Sequence, residues 1–151
     1  MTQYIMFSIQ NSILLVIDVQ GNLAQRMHHA ENLISRITLT IKAAQILEIP
    51  IIHTEQVPQK LGKTTPAIAE LLKDTPPIEK STFSCWERDM FVKKLCSLKR
   101  PQVFVVGIEA HVCVFQTVSD LLKANYKVQV VVDAVSARTL ENKNTALQRM
   151  H

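Results

Sequence analysis

The sequence predicts a doubly wound α/β fold, a parallel sheet of order 3-2-1-4-5 with helices on both faces, making three α/β/α layers. Two observations carry this. The main apolar runs, at 12–19, 51–54, 103–106 and 128–132, are rich in Val, Ile and Leu and largely unbroken by polar residues, the mark of strands buried on both faces. Between them lie segments whose apolar residues recur every three or four positions, so that strands and helices alternate five times along the chain. Right-handed crossovers then leave few topologies. At 151 residues, 47% hydrophobic and 20% charged, the chain suits a single domain, 1–151, with one core.

The first strand is SILLVIDV, Ser12 to Val19, with Asp18 at its carboxyl edge, because Asp is depleted inside strands. Glu31 to Leu47 reads as an amphipathic helix burying Leu33, Ile34, Ile37, Ile41, Ala44 and Ile46 or Leu47. After Pro50, Ile51 to Thr54 forms the second strand. Glu55 to Thr65, polar and holding Pro58 and Gly62, reads as a loop bordering the site. Pro66 opens a helix to about Leu72, Ile78 to Lys80 is a short third strand, and Glu87 to Leu98 is helical. Val103 to Val106 is the fourth strand, closed by Gly107. The period changes at Val112, where Val112, Phe115, Val118, Leu121 and Leu122 fall on one helical face. Val128 to Val132 is the fifth strand, ending at Asp133, and Thr139 to His151 is helical.

Composition excludes several classes of function. Net charge is +4, from 17 basic and 13 acidic side chains, but the basic residues are scattered and aromatics are only 5%, so no nucleic-acid stripe is predicted. Three cysteines without a Cys-x-x-Cys pair fit neither a disulfide framework nor a zinc knuckle. The N-terminal MTQYIMFSIQ lacks the basic start and long apolar core of a leader, and no apolar run approaches the ~18 residues that span a bilayer. A cytoplasmic protein with no membrane partner is expected. With three glycines and no G-x-x-G after Gly107, a dinucleotide fingerprint and a P-loop are both absent.

In a doubly wound sheet, ligands bind at the carboxyl ends of the strands, where the strand order reverses. There the topology gathers Asp18, Lys80 and Cys113. Cys113 stands in the first turn of a helix, where the dipole favours thiolate. Asp18 can take its proton, Lys80 can hold the charges, and N–H groups from Glu109 to Cys113 can face an oxyanion. These roles specify acyl transfer through a thioester. Duller readings stand beside them: Cys113 as core, Asp18 as a cap or as a structural ion pair with Lys80. His111, two residues from Cys113, does not share its helical face and reads as a substrate contact. Gln20, Leu23, Phe83 and Trp86 complete the candidate pocket, and Cys85 and Cys96 read as packing.

LLVIDVQ at 14–20, KSTFSCW at 80–86 and VVGIEAHVCV at 105–114 together resemble the isochorismatase-like cysteine hydrolase superfamily. The likeness is nearest to isochorismatase-domain proteins of unassigned substrate, which share the TEQVPQKLG loop at 54–62. The resemblance implies a triad of Asp18, Lys80 and nucleophilic Cys113. It also implies a cis peptide at Ile108–Glu109 that turns the amides of Glu109 and Cys113 toward the oxyanion, a sixth edge strand, and homo-oligomers. Nicotinamidases of the superfamily bind a metal through Asp-x-His and a later His. Here HTEQVPQ leaves His53 alone inside the strand, so no metal and no cofactor are expected. Relatives continue beyond the last helix to the sixth strand, so the chain is expected to be C-terminally truncated. The function expected is cleavage of a C–N bond in a small amide-like substrate. The alternatives are a non-catalytic binding or assembly protein, and isochorismatase-type hydrolysis.

Overall fold

The computed structural model describes residues 6–151; the first five, which begin the segment read above as lacking a leader, lie outside the described residues. Five parallel strands form one sheet in the order β3-β2-β1-β4-β5: β1 (Ser12–Ile17), β2 (Ile51–Gln56), β3 (Ile78–Lys80), β4 (Gln102–Gly107) and β5 (Lys127–Val135). The predicted topology and order are those observed. Helices α1 (Gly21–Gln25), α2 (Ala30–Ile46), α3 (Pro58–Leu61), α4 (Pro66–Leu71), α5 (Asp89–Ser97), α6 (Phe115–Lys123) and α7 (Leu140–Met150) connect or follow the strands.

Continuous burial of β1 separates two cores. Leu14 and Val16 point to one face, against Leu33, Ile37 and Ile41 of α2 and Ile68 of α4. Ile13, Leu15 and Ile17 point to the other, against Phe91 and Leu95 of α5 and Val118 and Leu121 of α6. Every β1 side chain therefore leaves water on folding, worth about 25 cal/mol per Å² of apolar surface. Among the described residues no helix is long and apolar enough to cross a membrane.

Three local expectations need correction. The polar stretch from Glu55 is not wholly loop: β2 runs on to Gln56, because Thr54, Glu55 and Gln56 pair with Ile78, Glu79 and Lys80 of β3. The buried Glu55 carboxylate is satisfied by Thr64, whose N–H and hydroxyl both donate to Oε1 at 2.7 Å. α3 then occupies part of the remaining stretch. Second, β5 does not stop at Asp133. That residue is exposed on the strand and faces Arg36 at 3.6 Å, while Ala134 and Val135 are buried beyond it, where a register shift pairs Val135 with Gly107. Third, two helical faces are turned from those expected. Ile46 and Leu47 are exposed at 81% and 44%, with Ile49 buried in their place. In α6 the buried residues are Thr117, Val118 and Leu121, whereas Leu122 is exposed and Phe115 lies under the Arg149 guanidinium.

Gly107 marks where β4 presses hardest on β1. Its φ is +124°, and a Cβ there would stand 2.1 Å from the Ile17 carbonyl oxygen. No flexible side chain can yield, since the obstacle is backbone of the central strand. Gly107→Ala is expected to cost more than about 4 kcal/mol, checked by denaturant unfolding or by loss of soluble protein.

Candidate active site

Asp18 follows β1 in a left-handed conformation, φ +51°, which turns its side chain out of the strand's alternation at the carboxyl edge of the sheet. Both carboxylate oxygens are engaged. Oδ1 accepts from the Thr54 hydroxyl at 2.7 Å and Oδ2 from Lys80 Nζ at 2.6 Å. The Lys80 side chain is fully enclosed and the Asp18 side chain 4% exposed, so this is a buried ion pair. Lys80 ends β3, and the chain immediately after it folds back to solvate the ammonium. Nζ donates to the Thr82 carbonyl at 2.9 Å, the Phe83 carbonyl at 3.1 Å and Gln56 Oε1 at 2.8 Å. Burial disfavours the ammonium, but the Asp18 carboxylate and the nearby Cys85 and Cys113 sulfurs together offset this and hold the Lys80 pKa above its ordinary value.

Cys113 lies in a π-helical turn, Ala110–Val114, that links β4 to α6. It is 8% exposed, and its thiol donates to Gln56 Oε1 at 3.2 Å. Gln56 thus bridges the sulfur to Lys80, and Asp18, Lys80 and Cys113 form one cluster at the switch between β1 and β4. One expectation is reversed here. The helix start does not make Cys113 a resting thiolate: burial pushes its pKa up, and the neighbouring Asp18 charge pushes it further than Lys80 pulls it back. Burial and the Asp18 charge thus favour the neutral thiol at Cys113. Cys85 is fully buried and raised to about 11, again by burial and then by Asp18. Its sulfur touches the Thr54 hydroxyl at 3.8 Å.

The Ile108–Glu109 peptide is cis. Glu109 is buried, with Arg138 donating to its carboxylate from Nε at 3.2 Å and from its own amide at 3.3 Å. Among the described residues the amides of Ala110, Val112 and Val114 have backbone acceptors, whereas none is recorded for the Glu109 amide.

Residues 12–151 match the family profile of the Isochorismatase domain. The chain belongs to the isochorismatase family. Among curated relatives, Isochorismatase domain-containing protein 2 of Danio rerio is 37% identical over 95% of this chain and 72% of its own length. The secreted isochorismatase effector Isc1 of Phytophthora sojae is 36% identical over 93% of this chain and 69% of its own. Among solved structures, one described as MAR1 ribonuclease from Caenorhabditis elegans superposes with a TM-score of 0.88. It is 41% identical and covers 95% of this chain and 74% of its own.

Within this isochorismatase-family site the candidate pocket residues do not all converge. Gln20 is fully buried, and its side chain is committed to backbone: Nε2 donates to the carbonyls of Gln56 and Gly62, and Oε1 accepts from the Gln56 amide. It holds Gln56 in place, which corrects its reading as a substrate contact. Trp86 packs edge-on against Tyr126, ring centroids 6.1 Å apart, and belongs to the core beside α5. Leu23 is half-buried against the α2 core, and Phe83 is 51% exposed. His111 is half-buried, and its Nδ1 has no partner among the described residues. A cavity of about 280 Å³ adjoins Lys80, but its lining includes neither Asp18, Gln56 nor Cys113, so the buried cluster rather than this hollow defines the site.

His53 is buried in β2, where Nε2 donates to the Thr75 carbonyl at 2.5 Å and burial keeps the ring's pKa below its ordinary value. Among the described residues no three His, Cys, Asp or Glu side chains are grouped as metal ligands. The sequence reading missed Gln56. The signal that singled out Asp18, a polar residue ending a buried strand, applies to Gln56 as well once β2 is extended to its true end.

Proposed function

We propose that the chain is a cysteine hydrolase that cleaves the C–N bond of a small amide-like substrate through a thioester on Cys113, without a metal. The observation that carries this reading is the chain of contacts that runs from Asp18 to Lys80 and on through Gln56 to Cys113 at the sheet's switch point. In the acylation step the Cys113 proton passes to the Asp18 carboxylate as the sulfur lone pair bonds to the substrate carbonyl carbon. The carbonyl π pair moves onto oxygen, where the free Glu109 amide supplies a donor. Collapse breaks the C–N bond, and the amine leaves with the proton from Asp18. Water then attacks the thioester and gives a proton to Asp18. The sulfur departs and recovers that proton, leaving a carboxylic acid and a neutral thiol. Lys80 holds the Asp18 carboxylate in place through its hydrogen bond to Oδ2 at 2.6 Å.

Cys113→Ala tests the proposal on a panel of small primary and N-substituted amides. Turnover is expected to fall to background while circular dichroism stays unchanged, and acid-quenched wild-type protein should carry an acyl adduct on the Cys113 peptide. Amide turnover retained by the variant would overturn the reading. A short RNA belongs on the same panel, because the Caenorhabditis elegans structure is described as a ribonuclease. Cleavage of that RNA by both wild type and Cys113→Ala, with no amide hydrolysed, would overturn it equally.

A further inference from the structure

We propose that Gln56 is a positioning residue for the nucleophile: its side-chain oxygen holds the Cys113 S–H and the Lys80 ammonium together, keeping the sulfur protonated and fixed in direction until substrate arrives. The inference rests on reading Cys113 as the nucleophile, but its test needs no substrate.

The orientation of the amide is decided by chemistry. An ammonium can only donate, so the atom 2.8 Å from Lys80 Nζ is oxygen, and the same oxygen accepts from Cys113 at 3.2 Å. A carbonyl oxygen has two lone pairs, and both are used here by the two groups whose charge matters most to the reaction. The backbone that carries this side chain is held on every side. Gln56 pairs with Lys80 in the β2–β3 ladder, its amide donates to Gln20 Oε1 at 2.6 Å, and its carbonyl accepts from Gln20 Nε2 at 3.1 Å. Gln20 is itself tied to the Gly62 carbonyl at 2.6 Å, so the loop after α3 is part of the same clamp.

The sign of the effect follows from which form of the thiol is bound. Gln56 accepts from the neutral S–H, so it favours thiol over thiolate. It also occupies Lys80, whose charge would otherwise be freer to favour thiolate. The other groups acting on the sulfur are Asp18 from the end of β1 and Cys85 from the turn Cys85–Glu87, both favouring thiol. Glu109 and His111 flank it on its own turn.

The test is the rate at which the uncharged reagent iodoacetamide alkylates Cys113 at pH 8, read by peptide mass spectrometry in the intact chain. Exposed Cys96 serves as the internal reference. Gln56→Leu removes the acceptor and is expected to raise the Cys113 rate by about 3–10-fold. Gln56→Glu keeps an acceptor but adds negative charge, so it is expected to lower the rate by a similar factor. Gln20→Ala leaves residue 56 intact but unclamped and should move the rate in the same direction as Leu. A purely structural role would shift Leu and Glu alike, through loosening. Rates that move in the same direction, or that both stay within about twofold of wild type, overturn the proposal. If Gln56→Leu does not fold, the Glu and Gln20→Ala rates decide it by their opposite signs. Failure here leaves the thioester reading to be judged separately by Cys113→Ala.

Discussion

Asp18→Asn is expected to slow amide hydrolysis by about 10²–10⁴-fold while making Cys113 more reactive to iodoacetamide. The two effects have opposite sign because the carboxylate does two things. In the proposed mechanism it accepts the thiol proton during attack, and until then its charge opposes the thiolate, ranking only behind burial among the causes that push the Cys113 pKa up. Asn is nearly the same shape: its one oxygen can accept from Lys80 and its NH2 can donate to the Thr54 hydroxyl oxygen, so both contacts at position 18 can be kept, one with its direction reversed, while the charge is lost. With Lys80 then the nearest full charge, the thiolate fraction at neutral pH should rise by about tenfold or more, since one pKa unit is tenfold. Paired measurements on one preparation check this, hydrolysis by amine release and alkylation by mass spectrometry. If both fall together, Asp18 is a scaffold for the thiol rather than its base.

Lys80→Met is expected to destabilise the fold by about 3–5 kcal/mol, the usual cost of leaving one partner of a buried ion pair alone. The ammonium satisfies Asp18, Gln56 and two carbonyls of the following loop, and Met can replace none of these bonds. The pH dependence follows from the raised Lys80 pKa. Its folded-state value lies above the ordinary 10.5, so the stability contributed by the charge is complete below pH 10.5. It is lost only as pH rises through the higher, folded-state value. Urea unfolding of both proteins should therefore show a constant gap from neutral pH to about 10, narrowing above it. A gap that is already absent at pH 7 would mean that Lys80 is not needed to balance Asp18.

Much of the site was legible because polar residues stand out against buried strands. Asp18 ends an otherwise apolar run, Lys80 ends the short strand that begins at Ile78, and Cys113 follows a buried strand at the point where the period changes. Gln56 was concealed by its own surroundings. Thr54, Glu55 and Gln56 look like the start of a loop, and only the ladder with β3 and the Thr64 bonds to Glu55 make them strand. Gln20, placed in the candidate pocket by the sequence reading, shows the converse. A polar residue after the first strand looks free in sequence, yet both its donors and its oxygen are used by backbone.

By itself the sequence determined the architecture: strand order, the alternation of layers and which strand ends meet, because burial on two faces demands continuous apolar runs and right-handed crossovers admit few arrangements. Only the tertiary structure decided which way the Cys113 thiol is pushed. A helix start favours thiolate when considered alone, but the state of Cys113 is set by the water it loses and by Asp18, brought from 95 positions away in the chain. Charge and desolvation act through space, and neither is written in the local residues.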